Sequence, residues 1–211
     1  MKALDALNMI NNLSASQQGV FTAAQAHALS VDKLALSRLE SHGQIERISH
    51  GVYRSCAAPP FREEDVWAAW LALYPETTAW KRQRNGSQGA ASHETAAWLL
   101  ALGELNPSPI TFTLPVRKQT RREGVRLVKA PLHPNEVIVI KGIPTTSPAR
   151  IILDLLRDGE DLSLVANVFG DATNSYREIN EPIFAEQVDK LGKRYGLNKG
   201  QSLYERLGGA R

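Results

Sequence analysis

From Lys2 to about His42 apolar residues recur at three- and four-residue spacing, and beyond Gly43 they fall into short runs. Leu4, Leu7, Ile10 and Leu13 mark a helical stripe from Lys2 to about Leu13. Gln18-Gly19-Val20-Phe21 interrupts it, and Thr22 stands where an N-cap belongs, before an alanine-rich helix from Ala23 to Leu29. Ser30 is placed to cap a third helix, Val31 to about His42, which Gly43 ends as a C′ residue. Two strands follow, Ile45–Ile48 and Val52–Ser55, joined by the tight turn Ser49-His50-Gly51. Helix, helix, helix, hairpin is the order of a winged helix-turn-helix.

The third helix divides by polarity. Val31, Ala35, Leu36 and Leu39 gather on one side with Leu34 flanking them. Ser30, Lys33, Ser37, Glu40, Ser41 and Gln44 lie opposite, and Arg38 sits nearer the apolar side, reaching outward over it. An apolar back with small polar or basic residues forward is what a recognition helix needs. Lys33 is suited to a phosphate, and Ser37, Ser41 and Gln44 to phosphates or base edges. On the wing, Arg47, His50 and Arg54 are the candidates for backbone or minor-groove contact.

Cys56-Ala57-Ala58-Pro59-Pro60 excludes helix and ordinary strand, which predicts a boundary between a domain over 1–56 and another over 61–211. Glu63 to about Leu73 reads as a helix with Val66, Trp67, Trp70 and Leu71 in its stripe and an acidic start suited to the helix dipole. Lys81-Arg82-Gln83-Arg84-Asn85-Gly86 reads as a basic turn, and Ser92 as the cap of a helix from His93 to about Leu102. Past Pro107 and Pro109 the period changes to two. Ile110–Leu114 and Val125–Val128 are strands, read as the arms of a basic hairpin over about 110–130. That hairpin carries Arg117, Lys118, Arg121, Arg122 and Arg126 against Glu123 alone, the densest positive run in the chain. With Lys81, Arg82 and Arg84 these form a candidate accessory basic patch for a nucleic-acid backbone or a partner. Val137–Ile140 is a buried strand, another starts at Ile143, and Ser147-Pro148 opens a helix with an N-cap serine and an N1 proline. From Ser163 to Arg211 the pattern is helical with glycine breaks, including Phe184 to about Tyr195. The fold class is α+β: a winged helix-turn-helix, then a mixed α+β domain with a helical C-terminal region.

Composition changes this picture little. In 211 residues, 43% apolar and 22% charged describe a globular chain, and a net charge of +3 permits nucleic-acid binding without arguing for it. The first 56 residues hold five basic and four acidic side chains, so the electrostatic footprint of that domain is thin. A dimer, or basic residues of the second domain, would have to add to it. The single cysteine, Cys56, and five scattered histidines draw no disulfide and no zinc framework, and no cofactor is expected. With no signal-like leader and no run long enough to span a bilayer, the expectation is a cytoplasmic protein without a membrane partner.

Three stretches then carry a resemblance. Gln18–Ala26, the leucine-bearing third helix and Ile45–Tyr53 resemble the N-terminal winged helix of AbiEi-type antitoxins. Ser92-His93-Glu94-Thr95-Ala96-Ala97, the Ile110–Leu114 strand with its basic sequel, and Gly142–Arg150 are similar to that family's second domain. The resemblance covers roughly residues 15 to 157. It implies a bacterial type IV toxin–antitoxin system. The winged helix would bind inverted repeats in double-stranded operator DNA, acting as a monomer in solution that binds cooperatively on DNA. The second domain would counter a cognate nucleotidyltransferase toxin.

Rival classes make different demands. An enzyme would need more than His93-Glu94, and Asp154, Asp158, Asp161 and Asp171 offer no compact nuclease-type Asp…Glu-x-Lys arrangement. No catalytic activity and no metal are expected. A winged helix used only for protein contacts predicts no salt-sensitive DNA affinity. A ligand-responsive regulator predicts a metabolite pocket in the second domain.

Overall fold

The computed structural model describes residues 3–84 and 88–209, with the side chains of Ala3, Gln83 and Arg84 left aside. The chain divides into two compact units, Met1–Asn85 and Gly86–Arg211. The break at Cys56–Pro60, expected to separate two domains, is therefore a turn inside the first unit.

The first unit contains α1 (Ala3–Ala15), β1 (Val20–Thr22), α2 (Ala23–Ala28), α3 (Lys33–Ser41), β2 (Ile45–Ser49), β3 (Val52–Ser55), α4 (Glu64–Leu73) and α5 (Ala79–Arg84). Ala6, Ile10, Phe21, Ala26, Val31, Leu36, Leu39 and Ile45 form its core, with Phe21 stacked on Tyr53. Leu4, assigned to the buried stripe of α1, is 67% exposed; Ala6 and Ile10 do that work. The stretch read as a break supplies β1, which pairs antiparallel with β3 and makes a three-stranded sheet ordered β1-β3-β2. Thr22 caps α2 as expected, in a reciprocal box with Gln25. The cap of α3 is Asp32, whose carboxylate accepts from Ala35 N at 2.7 Å. Ser30 instead takes a left-handed φ of 64°, so Val31 precedes the helix while remaining fully buried.

Two buried glutamines explain why this unit runs past the prolines. Gln17 and Gln25 pair with each other, and each also reaches the segment after α4. Gln25 Nε2 donates to Thr77 O at 2.9 Å, while Gln17 Oε1 accepts from Ala79 N at 2.7 Å. The Thr22 hydroxyl donates to Pro75 O. Buried amides must find partners, and these find them in residues 75–79, which are thereby fixed against the helix-turn-helix. α5 covers Lys81–Arg84, where a basic turn was expected; Asn85 and Gly86 of that stretch lie outside the described residues.

The second unit contains β4 (Ala90–Ala91), α6 (His93–Leu99), β5 (Ile110–Leu114), β6 (Val125–Lys129), β7 (Val137–Ile140), β8 (Ile143–Thr146), α7 (Pro148–Asp158), α8 (Leu162–Ser175), α9 (Pro182–Asp189) and α10 (Leu203–Arg206). Its sheet is ordered β6-β5-β4-β8-β7. β5 and β6 run parallel, with Ile110 opposite Val125 and Leu114 opposite Lys129, so the expected basic hairpin is a loop crossover instead. Ten residues, 115–124, can span up to about 33 Å. That is ample to return beside a strand of five residues and start again from the same end. Ala96, Ala97, Ile151, Ile152, Leu155, Leu156, Val168 and Phe169 belong to a core that the C-terminal region completes. Tyr204 presents its ring to Phe169 and Phe184, and its hydroxyl donates to Ile179 O at 3.0 Å.

Candidate nucleic-acid interface

α3 is held by both ends and by its back. Asp32 caps the start, Leu36 and Leu39 are buried at 3% and 4% exposure, and Gly43 at φ +67° turns the chain out of the last turn. These constraints fix which residues face outward: Lys33, Leu34, Ser37, Arg38, Glu40 and Ser41 are all exposed. Leu34, placed beside the apolar side from sequence, is 58% exposed. Beginning the helix at Lys33 instead of Val31 removes Val31 from the wheel and leaves Leu34 aligned with Ser37 and Ser41 at i, i+3 and i+7. Arg38 is exposed four residues on from Leu34. The Ser41 hydroxyl donates to Arg38 O at 2.9 Å, which leaves its lone pairs as acceptors. His42 Nδ1 lies 2.6 Å from the same carbonyl, a contact that requires the proton on Nδ1. Gln44, expected on the helix face, lies beyond it in the exposed link to β2, where its backbone bonds to Leu39 and Cys56.

The wing is the β2–β3 hairpin, turned by His50-Gly51 with Gly51 at φ +69°. The register slips between Arg47 and Ser49. Arg47 is exposed, with Nη2 at 3.1 Å from His50 Nδ1 and Nε donating to Ser49 O at 3.4 Å. The wing arginine is thereby held close to the hairpin tip.

Arg54 does not join it. Its side chain is 9% exposed and binds Glu46 Oε2 at 2.5 Å, Glu64 Oε1 at 2.8 Å and Ala58 O at 2.5 Å. Burial raises the Glu64 pKa above its usual 4.5, while Arg54 pulls in the opposite sense. A guanidinium spent on two carboxylates and a carbonyl is a structural tie, and Arg54 leaves the candidate DNA set.

The accessory patch also thins. Arg82 is 1% exposed, lies 4.0 Å from the Trp70 ring centroid and donates to Trp70 O. Burial lowers its pKa to about 9, with Tyr74 pulling in the opposite sense, so it stays charged at neutral pH between the Trp70 and Tyr74 rings. It is a core member of the first unit and leaves the accessory surface set. Lys81 is exposed beside Trp80, and the Arg84 side chain lies outside the described residues. In the 115–124 loop Arg117 and Arg121 are exposed, while Lys118 and Arg122 are partly buried; burial lowers the Arg122 pKa. Arg126 Nη2 lies 2.7 Å from Asp158 and 3.8 Å from Glu94, so it too is engaged.

His93, the residue an enzyme reading would use, is 3% exposed at φ +55° in the turn from β4 into α6. Its Nδ1 is 2.9 Å from Ser92 Oγ and its Nε2 3.6 Å from Asp158. Burial lowers the His93 pKa against the opposing pull of Asp154 and Asp158. Ser92 is fully buried and accepts from the Thr113 hydroxyl, so this polar chain ties the turn to β5 and α7. Among the described residues no group of three or more His, Cys, Asp or Glu is arranged to hold a metal ion. None of their helices is long and apolar enough to cross a membrane.

Comparison with known proteins agrees with this geometry. Residues 8–55 match the family described as transcriptional regulator, AbiEi antitoxin, a segment from α1 to the end of β3. The matched segment is the winged helix of the first unit. No curated protein matches the chain. Among solved structures, the chain is similar in fold to the RV2827C protein from Mycobacterium tuberculosis. The TM-score is 0.51 at 15% identity, over 94% of this chain and 78% of that one.

Proposed function

We propose that this protein is the antitoxin of a type IV toxin–antitoxin system. In this reading it binds its own operator through α3 and the wing, represses its operon, and counters a nucleotidyltransferase toxin through the second unit. It acts as a cytoplasmic regulator by binding, without catalysis. The observation that carries the reading is the outward face of α3, with Arg47 on the adjoining wing, inside the segment that matches the antitoxin regulator family. Lys33 and Arg47 take phosphates, Ser37 and Ser41 meet base edges, and Gln44 and His50 flank them. Arg117, Lys118, Arg121 and Arg122 add backbone affinity or meet the toxin.

Charge sets the scale of the test. On α3 and the wing, Lys33, Arg38 and Arg47 are exposed cations, and Asp32, Glu40 and Glu46 are exposed acids of the same stretch. The two phosphate contacts, Lys33 and Arg47, give a salt slope near −1.8, which is about a 12-fold loss of affinity between 50 and 200 mM salt. Two copies on an inverted repeat double the slope to about −3.6. The test is a salt-titrated binding assay of the protein on its own upstream DNA against a scrambled duplex, followed by rescue of growth when the neighbouring toxin is co-expressed. Selective binding with a slope near the two-copy value supports repression by paired copies. No preference for the upstream sequence at any salt removes the repressor reading, and failure to rescue removes the antitoxin one.

A further inference from the structure

The outward line of α3 has an apolar residue where polar readers would be expected. Leu34 is the second residue of the helix and is 58% exposed, while Leu36 and Leu39 are buried. Helix propensity does not single out leucine there, since Lys, Arg and Glu, which occupy neighbouring outward positions, form helix about as well. Nor does the core, because Leu34 is outside the cluster built from Leu36, Leu39, Val31 and Ile45. An exposed leucine leaves apolar surface in water, and that surface can be covered when the helix docks.

Its position narrows what covers it. In helix-turn-helix proteins the N-terminal residues of the recognition helix meet the base edges. Of the groups a base pair presents in the major groove, the thymine C5-methyl is the apolar one, and it is read by apolar contact. Lys33 precedes Leu34, and Ser37 and Arg38 lie one turn on, three and four residues away. The apolar tip is thus flanked by one phosphate-seeking cation and by groups able to hydrogen-bond the next bases.

The geometry points to Leu34 as a specificity-determining residue that packs on a thymine methyl in the operator. This rests on the operator-binding reading above and adds the chemical group that is read. It requires a thymine under the N-terminal turn of α3 in each half-site.

The experiment replaces the thymines of the upstream duplex with deoxyuridines, which deletes the methyl and keeps every base-pair hydrogen bond. Binding is measured for the unaltered protein, for Leu34→Ala and for Ser37→Ala at one salt concentration. The unaltered protein should lose about threefold to fourfold in affinity per half-site, the scale of burying one methyl-sized group. Leu34→Ala should bind the thymine duplex more weakly and be indifferent to the exchange, while Ser37→Ala should keep the full penalty. An equal deoxyuridine penalty in Leu34→Ala and the unaltered protein overturns the inference, as does no penalty in either. If the unaltered protein shows no preference for its upstream thymine duplex, the operator-binding reading fails, and this inference fails with it. The scrambled duplex distinguishes that result from loss of the methyl contact alone.

Discussion

Replacing Arg54 with alanine separates a structural arginine from a DNA-contacting one. The guanidinium has three partners: Glu64, an ion pair at 2.8 Å with a side chain 19% exposed, and, by hydrogen bonds, the Ala58 carbonyl and Glu46, 63% exposed. Losing the Glu46 pair costs little, at most about 1 kcal/mol, because that carboxylate stays in water. Stranding Glu64 and the Ala58 carbonyl costs about 1–3 kcal/mol more, below the roughly 3–5 kcal/mol seen when a fully buried pair is broken. A total of about 1–4 kcal/mol moves the urea midpoint of the first unit down by about 0.5–2 M. The sign of the pH dependence follows from Glu64. Burial already holds its folded pKa above 4.5, and removing Arg54 takes away the influence that lowers it. A carboxyl whose pKa is higher folded than unfolded binds more protons in the native state, so its contribution falls as pH rises through the interval between the two values. The deficit of Arg54→Ala is therefore larger at pH 7 than at or below pH 4.5, where Glu64 takes up a proton. The paired measurement is the salt slope on operator DNA, which stays unchanged. A variant of normal stability with a slope reduced by about 0.9 would refute the assignment and return Arg54 to the phosphate-binding set.

Arg47→Ala gives the opposite pattern: stability within about 0.5 kcal/mol of the parent in urea titration, and a salt slope lower by about 0.9 per bound copy. Gln25→Leu strands Thr22 N, Thr77 O and the Gln17 amide, and should lower the stability of the first unit by about 1–3 kcal/mol in the same assay. His93 is a base whose folded pKa is depressed, first by burial, so its contribution to the second unit is present above its unfolded value near 6.5 and is lost as pH falls toward the folded one. Denaturation midpoints measured across pH 7.5 to 5 should decline for the parent, and His93→Gln should remove that part of the decline.

What the sequence conveyed was mostly local. Thr22 and Ser147 cap the helices they were expected to cap because both terms of the signal, the side-chain oxygen and the amide three residues on, lie in one short window. The hairpin of β2 and β3 was legible for the same reason. Strand direction was not: alternation in Ile110–Leu114 and Val125–Lys129 reports which faces are buried, and a parallel pair alternates as an antiparallel one does. β1 was missed because its three residues are defined by β3, which follows some thirty residues later. At the candidate interface, Lys33, Ser37, Ser41, Arg47 and His50 are exposed as expected. Arg54 and Arg82 are not, since their partners Glu64 and Trp70 stand ten and twelve residues away, with nothing in the periodicity to mark them. Leu34 was misplaced through a two-residue error at the helix start. Asp32 at the cap, with Val31 before it, was the available signal.

The glutamine pair also bears on how such proteins can be reassembled. The prolines at 59 and 60 invite a crossover between a reading head and a body from different relatives, yet a junction there would bring the foreign counterpart of residues 75–79 against Gln17, Thr22 and Gln25. Three polar contacts, one of them fully buried, would depend on a segment chosen with the wrong half. A chimera therefore keeps its folding only when the transferred piece extends through α5, so that residues 75–79 travel with Gln17, Thr22 and Gln25.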